Sequence, residues 1–206
     1  MKGLRRLAGP PARPTGGRLR EDWLGTIFAP RETFAALSAR PAPRRAGAAV
    51  FILGVLWALL FAWLASDDRA PTFQRWLPFP PSSFYRAASF YALPLLLLLW
   101  LGGGQVVHVL CGQRSPIGAS LGVLGFTLAV PATVTFVIPD LVVYGFNGQL
   151  GLTEAVRVTG PLTLLWSFGL TALALRTLHR LSRLRAVGNT LILFVILSIP
   201  ASLFLR

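Results

Sequence analysis

The sequence predicts an all-α integral membrane protein, with five transmembrane helices preceded by two short amphipathic helices at the membrane interface. Of its 206 residues, 54% are hydrophobic and only 13% are charged, whereas about 25% of the residues of a soluble domain are charged. The apolar residues also gather into five long runs, each close to the roughly 20 residues that a helix needs to cross the hydrocarbon core. Together these observations exclude a water-soluble fold.

The first segment of the chain differs from the rest. Residues 1–20 are rich in arginine, proline and glycine, and such a composition offers too little apolar surface to support packing. We expect residues 1–20 to form a disordered basic tail and residues 21–206 to form one membrane domain.

Two short helices are predicted between this tail and the first span. Trp23, Leu24, Ile27 and Phe28 fall at helical spacing, and Pro30 suits the first turn of a second helix. We expect both helices to lie flat on the bilayer, with aromatic rings at headgroup depth and arginines near anionic lipid. The alternative is that they pack as a cap against the ends of the spanning helices. The predicted membrane-interface residues are Trp23, Phe28, Phe34, Arg44 and Arg45.

Five apolar runs follow as predicted spans. The first begins directly after Arg44 and Arg45 and contains no charged residue. Each of the four later runs contains a proline, which membrane helices tolerate and which favours kinks. The predicted spans cover residues 46–65, 87–111, 117–138, 158–177 and 187–205, each to within a few positions.

The distribution of basic residues predicts the orientation of the spans, because lysine and arginine are enriched in short cytoplasmic loops. Fifteen of the 20 basic residues lie in the N-terminal segment and in the two gaps on its side of the membrane, and five lie on the opposite side. The chain is therefore predicted to be a multi-pass protein of the cell inner membrane. Its N-terminus is placed in the cytoplasm and its C-terminus outside, in the periplasm.

Three glycines give the third span a small-residue face. Gly118, Gly122 and Gly125 lie close enough in sequence to share that face, and such faces allow helices to approach closely. We expect this face to serve helix packing within the chain. A contact between two copies of the chain is the alternative, which leaves a homo-oligomer open.

Few polar side chains fall inside the predicted spans, where each costs free energy unless it is paired. Gln105 and His108 share one face of the second span. We expect His108 to be hydrogen-bonded at the interface, and a ligand or proton-relay role is the alternative. Asp140 is expected to be an exposed loop charge at the outer end of the third span, and a buried pair with Arg157 is the alternative. His179 is expected to be solvated in an arginine-rich loop.

The available residue types exclude several functional classes. One cysteine, two histidines and seven scattered acidic residues leave no candidate metal site, and no catalytic motif is present. The net charge of +13 would suit nucleic acid in a soluble protein, but no basic stripe is interleaved with stacking aromatic residues. We therefore predict no enzymatic activity, no cofactor and no nucleic-acid partner.

Short motifs stand out at three places in the chain. Their residues are Asp22-Trp23, Ile27–Leu37 and Pro41, then Ala129-Val130-Pro131, and finally Ala174-Leu175, His179, Leu181, Ser182 and Arg185-Ala186. These motifs resemble the opening of the domain, the proline-bearing middle helix and the link between the fourth and fifth helices of the Yip-domain family of membrane proteins. The resemblance covers about residue 20 to the C-terminus.

This resemblance implies an integral membrane protein without known catalysis. Eukaryotic relatives bind prenylated Rab GTPases and act in vesicle traffic between the endoplasmic reticulum and the Golgi. Arginine outnumbers lysine 19 to one, which is typical of a GC-rich bacterial genome. In a bacterial member the implied role shrinks to membrane organisation or scaffolding, through anionic lipid headgroups and an unidentified membrane or cytoplasmic protein. The alternative is a small transporter or channel subunit whose path runs past the proline and glycine breaks of spans two to four.

Overall fold

The computed structural model describes residues 18–67, 80–113 and 115–202. All regular structure within these residues is helical, which confirms the all-α prediction. Residues 1–17 of the predicted tail lie outside the described residues, and Leu19 and Arg20 already belong to the first helix. The α-helices are α1 Leu19–Phe28, α2 Pro30–Ala39, α3 Pro43–Ser66, α4 Phe84–Leu110, α5 Ile117–Ala132, α6 Ile138–His179 and α7 Arg183–Ser202.

Five helical segments are long and apolar enough to cross a membrane, which confirms the predicted number of spans. The third is longer than expected, because a π-helical segment, Thr133–Val137, carries the helix past Pro139. A proline ring normally clashes with the carbonyl four residues earlier, and here that carbonyl belongs to Thr135 in the wider π turn. The five segments are Pro43–Ser66, Phe84–Leu110, Ile117–Phe146, Glu154–His179 and Arg183–Ala201.

α6 contains the end of the third span and the whole of the fourth, and it is helical over all its 42 residues. The two spans nevertheless run antiparallel and lie side by side, as two contacts between them show. The Thr135 and Thr163 hydroxyls lie 2.7 Å apart, and the Thr171 hydroxyl donates to that of Thr127 at 3.0 Å. The chain therefore reverses direction between Phe146 and Glu154. A straight helix of this length would measure roughly 63 Å, about twice the thickness of the hydrocarbon core.

The third span lies at the centre of the bundle and the last span at its edge. In the most apolar part of each, 67% of the residues are buried in the third span and 17% in the last. Leu191, Val195 and Ile199 recur every four residues along α7, and all three are exposed. This stripe is the lipid-facing surface that a peripheral membrane helix presents.

Two buried clusters fill the bundle. The larger joins α2 to α3, α4, α5, α6 and α7, and the smaller lies towards the opposite end, around Phe61, Tyr85 and Tyr144. At that opposite end the Tyr144 hydroxyl donates to an oxygen of Asp67 at 2.5 Å, and Trp63 packs edge-on against the Tyr144 ring. These contacts join the end of the first span to the third.

Candidate functional site

Helices α1 and α2 form a cap, defined here as residues 19–39, over one end of the bundle. α1 packs against α3 and α5, while α2 packs against α5 and α6. The chain changes direction at Ala29, and Pro30 occupies the first turn of α2, where its missing N–H has no intrahelical partner to lose. The structure thus has one short helix on each side of the break at Pro30, in the cap arrangement that was the alternative expectation; the amphipathic character predicted for both helices is not confirmed.

One side of α2 is locked into the core. Phe34 has no exposed surface and Leu37 is 2% exposed, and both belong to the cluster that includes Leu170 and Ala174 of α6. Burial of a phenylalanine side chain contributes about 1.5–3 kcal/mol. Phe34 therefore contacts protein and not lipid, which corrects its predicted role. An apolar helical face shows that a surface is covered, but it does not show by what.

The two most buried residues of α1, Asp22 and Thr26, are polar, although the sequence pattern predicted an apolar face. Asp22 is 5% exposed, and one of its carboxylate oxygens lies 2.8 Å from Nε of Arg45 at the start of α3. Burial raises the pKa of Asp22 above its ordinary 3.8; the charge of Arg45 opposes this rise and that of Glu21 adds to it. Thr26, also buried, donates its hydroxyl to the Asp22 carbonyl oxygen at 2.7 Å. An ion pair thus attaches α1 to the first span.

Two apolar residues of α1 point away from the bundle, whereas Leu19, Trp23 and Ile27 are half-buried and pack against the core. Phe28 is 81% exposed and Leu24 is 52% exposed, while Trp23 is half-buried against the core. Of the two arginines that precede the first apolar run, Arg44 is exposed and Arg45 is half-buried in its pair with α1. Contact of the exposed residues with the bilayer stays a prediction.

The three glycines of α5 lie against the start of the first span. A Cβ atom at Gly118 or Gly122 would meet its nearest neighbour at 3.5 Å, which is ordinary contact. At Gly125 it would lie 2.7 Å from the Ala46 Cβ and 3.0 Å from Nε1 of Trp100. This indole donates to the Leu121 carbonyl oxygen at 2.9 Å. The glycine face therefore has a use within one chain.

The three candidate polar residues do not converge on one site. Gln105 is exposed, and His108 is half-buried near the capped end of α4, with no described hydrogen-bond partner at its Nδ1. Asp140 lies 23 positions beyond Ile117, the start of the third span, or roughly 34 Å along the helix. A path past them for a transported substrate, the alternative function, is therefore not favoured.

Two expectations about charged or ionisable residues are wrong. Asp140 has no exposed surface, because the π-helical segment continues the helix past Pro139 and places Asp140 in the first turn of α6, inside the bundle. Arg157, considered as its partner, is exposed. His179 is 5% exposed, with Nδ1 3.3 Å from the Ser115 hydroxyl. It is the last residue of α6, so its ring faces the link between α4 and α5 and not the solvent.

A recess of about 330 Å³ opens at the capped end, where α4 finishes and α7 begins. α4 ends in two backbone hydrogen bonds of the Schellman type, from Gln113 N to His108 O and from Gly112 N to Val109 O. Gly112 has a φ of 70°, which glycine adopts without strain. The residues lining the recess are Leu110, Cys111, Gly112, Leu181, Arg185 and Asn189.

Asn189 is a site residue that sequence reasoning missed. Its amide nitrogen lies 3.4 Å from the Leu110 carbonyl oxygen and 3.6 Å from the Cys111 sulfur. A single asparagine in an apolar run has no spacing pattern to reveal it. The available signal was the free energy cost of an unpaired amide inside a span. In the described part of the chain, no group of three or more His, Cys, Asp or Glu residues could hold a metal ion.

Comparison with known proteins supports the resemblance noted from the sequence. The family model of the Yip1 domain matches residues 24–204, from within α1 to beyond the last described helix. Searches of curated proteins and of solved structures found no match. Since the family match covers most of the sequence, including most of the cap and all five spans, the chain belongs to the Yip1-domain family of membrane proteins.

Proposed function

We propose that this protein is a non-enzymatic scaffold that organises the membrane through lipid and protein contacts at its capped end. The observation that carries the proposal is the outward face of α1. Phe28, the last residue of α1, is 81% exposed and is among the most exposed large hydrophobic side chains of the described structure. A phenylalanine held out by a rigid cap gains about 1.5–3 kcal/mol if lipid or a partner covers it.

The charges around the cap support an anionic bilayer as the first partner. Arg20, Arg31, Arg40 and Arg44 are exposed on or beside the two helices. A basic residue near an anionic membrane surface contributes about 1 kcal/mol, and this contribution falls off within a Debye length. The same excess of basic residues supports a cytoplasmic N-terminus and an inner-membrane location.

The protein partner is an unidentified membrane or cytoplasmic protein, and a second copy of the chain is a further candidate. The Rab GTPases bound by eukaryotic relatives suggest that partners approach this family from the cytoplasmic side. The exposed residues of the cap provide apolar and basic contacts on that side.

Hydrogen exchange of the full chain in nanodiscs tests the lipid contact. We compare the wild type with Phe28→Glu and with Ala35→Glu, a matched control that adds the same charge at an exposed position of α2. In anionic nanodiscs the cap amides of the wild type and the control are expected to exchange more slowly than in neutral nanodiscs. Phe28→Glu is expected to lose this protection.

Since Phe28 is exposed, its replacement leaves the packing of the cap intact, and loss of protection then reports lost docking. Equal exchange of the cap in all three proteins and in both lipid compositions would show that the cap does not contact the bilayer.

A further inference from the structure

The start of α7 carries a charge pattern that is unfavourable on its own. Arg183 and Arg185 lie in its first turn, and Arg180 lies just before it. The N-terminus of a helix bears a partial positive charge, so cations there are destabilising and anions are stabilising, each typically by 0.3–1 kcal/mol. No Asp or Glu follows Glu154 in the sequence. In the described residues, none of these three arginines forms an ion pair. The arrangement therefore lacks a counter-anion.

Arg185, one of these three arginines, lines the recess, and the lining combines complementary groups. Arg185 provides a guanidinium group, which suits phosphate because its N–H groups can bind two oxygens at once. Asn189 provides an amide whose two contacts, at 3.4 and 3.6 Å, are longer than the usual 2.7–3.2 Å. Leu110 and Leu181 add apolar surface at the rim.

We propose that this recess binds the phosphate group of an anionic ligand, with Arg185 and Asn189 as the polar contacts. Leu110 ends the second span and Arg183 begins the last, so the recess lies at the depth of lipid headgroups. Its volume of about 330 Å³ is at the lower end of the range for small-ligand pockets. A phospholipid is the favoured source of the phosphate, and a free phosphate ester is the other source with the same chemistry. Such a site would give the proposed scaffold a specific lipid ligand. Only the choice of a phospholipid as the source of the phosphate rests on the proposed function.

Cys111 provides a probe inside the recess. It is the only cysteine of the chain, it lines the recess and it is 4% exposed. Occupancy by a ligand is expected to slow its alkylation by a small maleimide. The full chain is assayed in neutral nanodiscs, in nanodiscs containing phosphatidylglycerol, and in neutral nanodiscs with added glycerol 3-phosphate or inorganic phosphate.

The matched variants are Arg185→Gln, which lines the recess, and Arg183→Gln, which removes the same charge two residues away but does not line it. Phosphatidylglycerol is expected to slow alkylation in the wild type and in Arg183→Gln. In Arg185→Gln we expect apparent binding of this lipid to weaken about tenfold or more, because a charge-assisted contact is lost. Arg185→Lys keeps the charge but lacks the planar pair of N–H groups with which a guanidinium binds two phosphate oxygens at once, so its binding is expected to fall between.

Each outcome decides between the alternatives. Protection by glycerol 3-phosphate equal to that by lipid assigns the site to a free phosphate ester, and equal protection by inorganic phosphate assigns it to the free phosphate ion. An equal loss of protection in both glutamine variants would overturn the proposal, because it would show only general attraction to the charged surface. No protection by any anion would overturn it as well. Phe28→Glu is expected to lose protection of the cap amides but to keep protection of Cys111 by lipid. Exchange of the cap therefore reports on the proposed function, and alkylation of Cys111 reports separately on the recess.

Discussion

Replacing Gly125 by alanine places a methyl group at a close contact between the first and third spans. The added Cβ would lie 2.7 Å from the Ala46 Cβ and 3.1 Å from the Ala46 carbonyl oxygen. Neither neighbour is the flexible end of a side chain, so a helix must shift. Overpacking of this kind costs about 1–3 kcal/mol.

The same methyl would lie 3.0 Å from Nε1 of Trp100, whose indole donates to the Leu121 carbonyl oxygen. A shift that breaks this hydrogen bond adds about 1 kcal/mol. We therefore expect Gly125→Ala to lower the free energy of unfolding by about 2–4 kcal/mol. The control is Gly118→Ala, whose nearest contact of 3.5 Å is ordinary, and we expect its effect to remain within about 0.5 kcal/mol.

Unfolding in detergent micelles, followed by tryptophan fluorescence, measures both changes. The variant Gly125→Ala with Ala46→Gly removes the closest of the clashing atoms and is expected to recover part of the loss. Its coupling energy should fall in the range of about 0.5–3 kcal/mol seen for contacting residues. Wild-type stability of Gly125→Ala, or an equal loss in Gly118→Ala, would refute this account of the glycine face.

Three further predictions follow from the charged and polar residues. Because burial raises the pKa of Asp22, its contribution to stability is present below its ordinary pKa and is lost as pH rises through the raised value. Arg45→Met removes the opposing charge, so stability should fall more steeply than in the wild type as pH rises above the ordinary pKa of 3.8, and Asp22→Asn should abolish that difference in unfolding measurements. His108→Leu should raise the free energy of unfolding by roughly 1 kcal/mol, since Nδ1 has no described partner; a loss of stability would reveal an unseen contact. Reporter fusions should place the N-terminus in the cytoplasm and the C-terminus outside. A scaffold should show no solute flux in reconstituted vesicles. Flux that His108→Leu or Asp140→Asn abolishes while folding is preserved would contradict the scaffold role.

The sequence alone determined the class of the protein and its number of spans. Five apolar runs of membrane-spanning length leave no other fold, because backbone groups in hydrocarbon must bond within a helix. Pro30 set the break between the two short helices, since proline begins a helix more readily than it continues one. The motifs at three places, between Asp22 and Pro41, at Ala129-Val130-Pro131 and between Ala174 and Ala186, indicated the family.

Tertiary structure decided what covers each face. Phe28 and Phe34 were both predicted to lie at the membrane interface, yet Phe34 is fully buried in the core and Phe28 is exposed. Helical periodicity assigns residues to a face but does not specify whether protein, lipid or water lies against it. The buried polar side of α1 followed from a partner more than twenty residues away, Arg45, and no local pattern encodes such a pairing.

Tertiary structure also decided where the third span ends and what surrounds the recess. The π-helical segment before Pro139 brought Asp140 into the bundle, and its wider turn depends on packing that local propensity does not determine. Cys111 lies 78 positions before Asn189, and it meets Arg185 and Asn189 only because α4 ends where α7 begins. A site assembled from the ends of two helices has no spacing of its own, so it becomes visible only when the chain is folded.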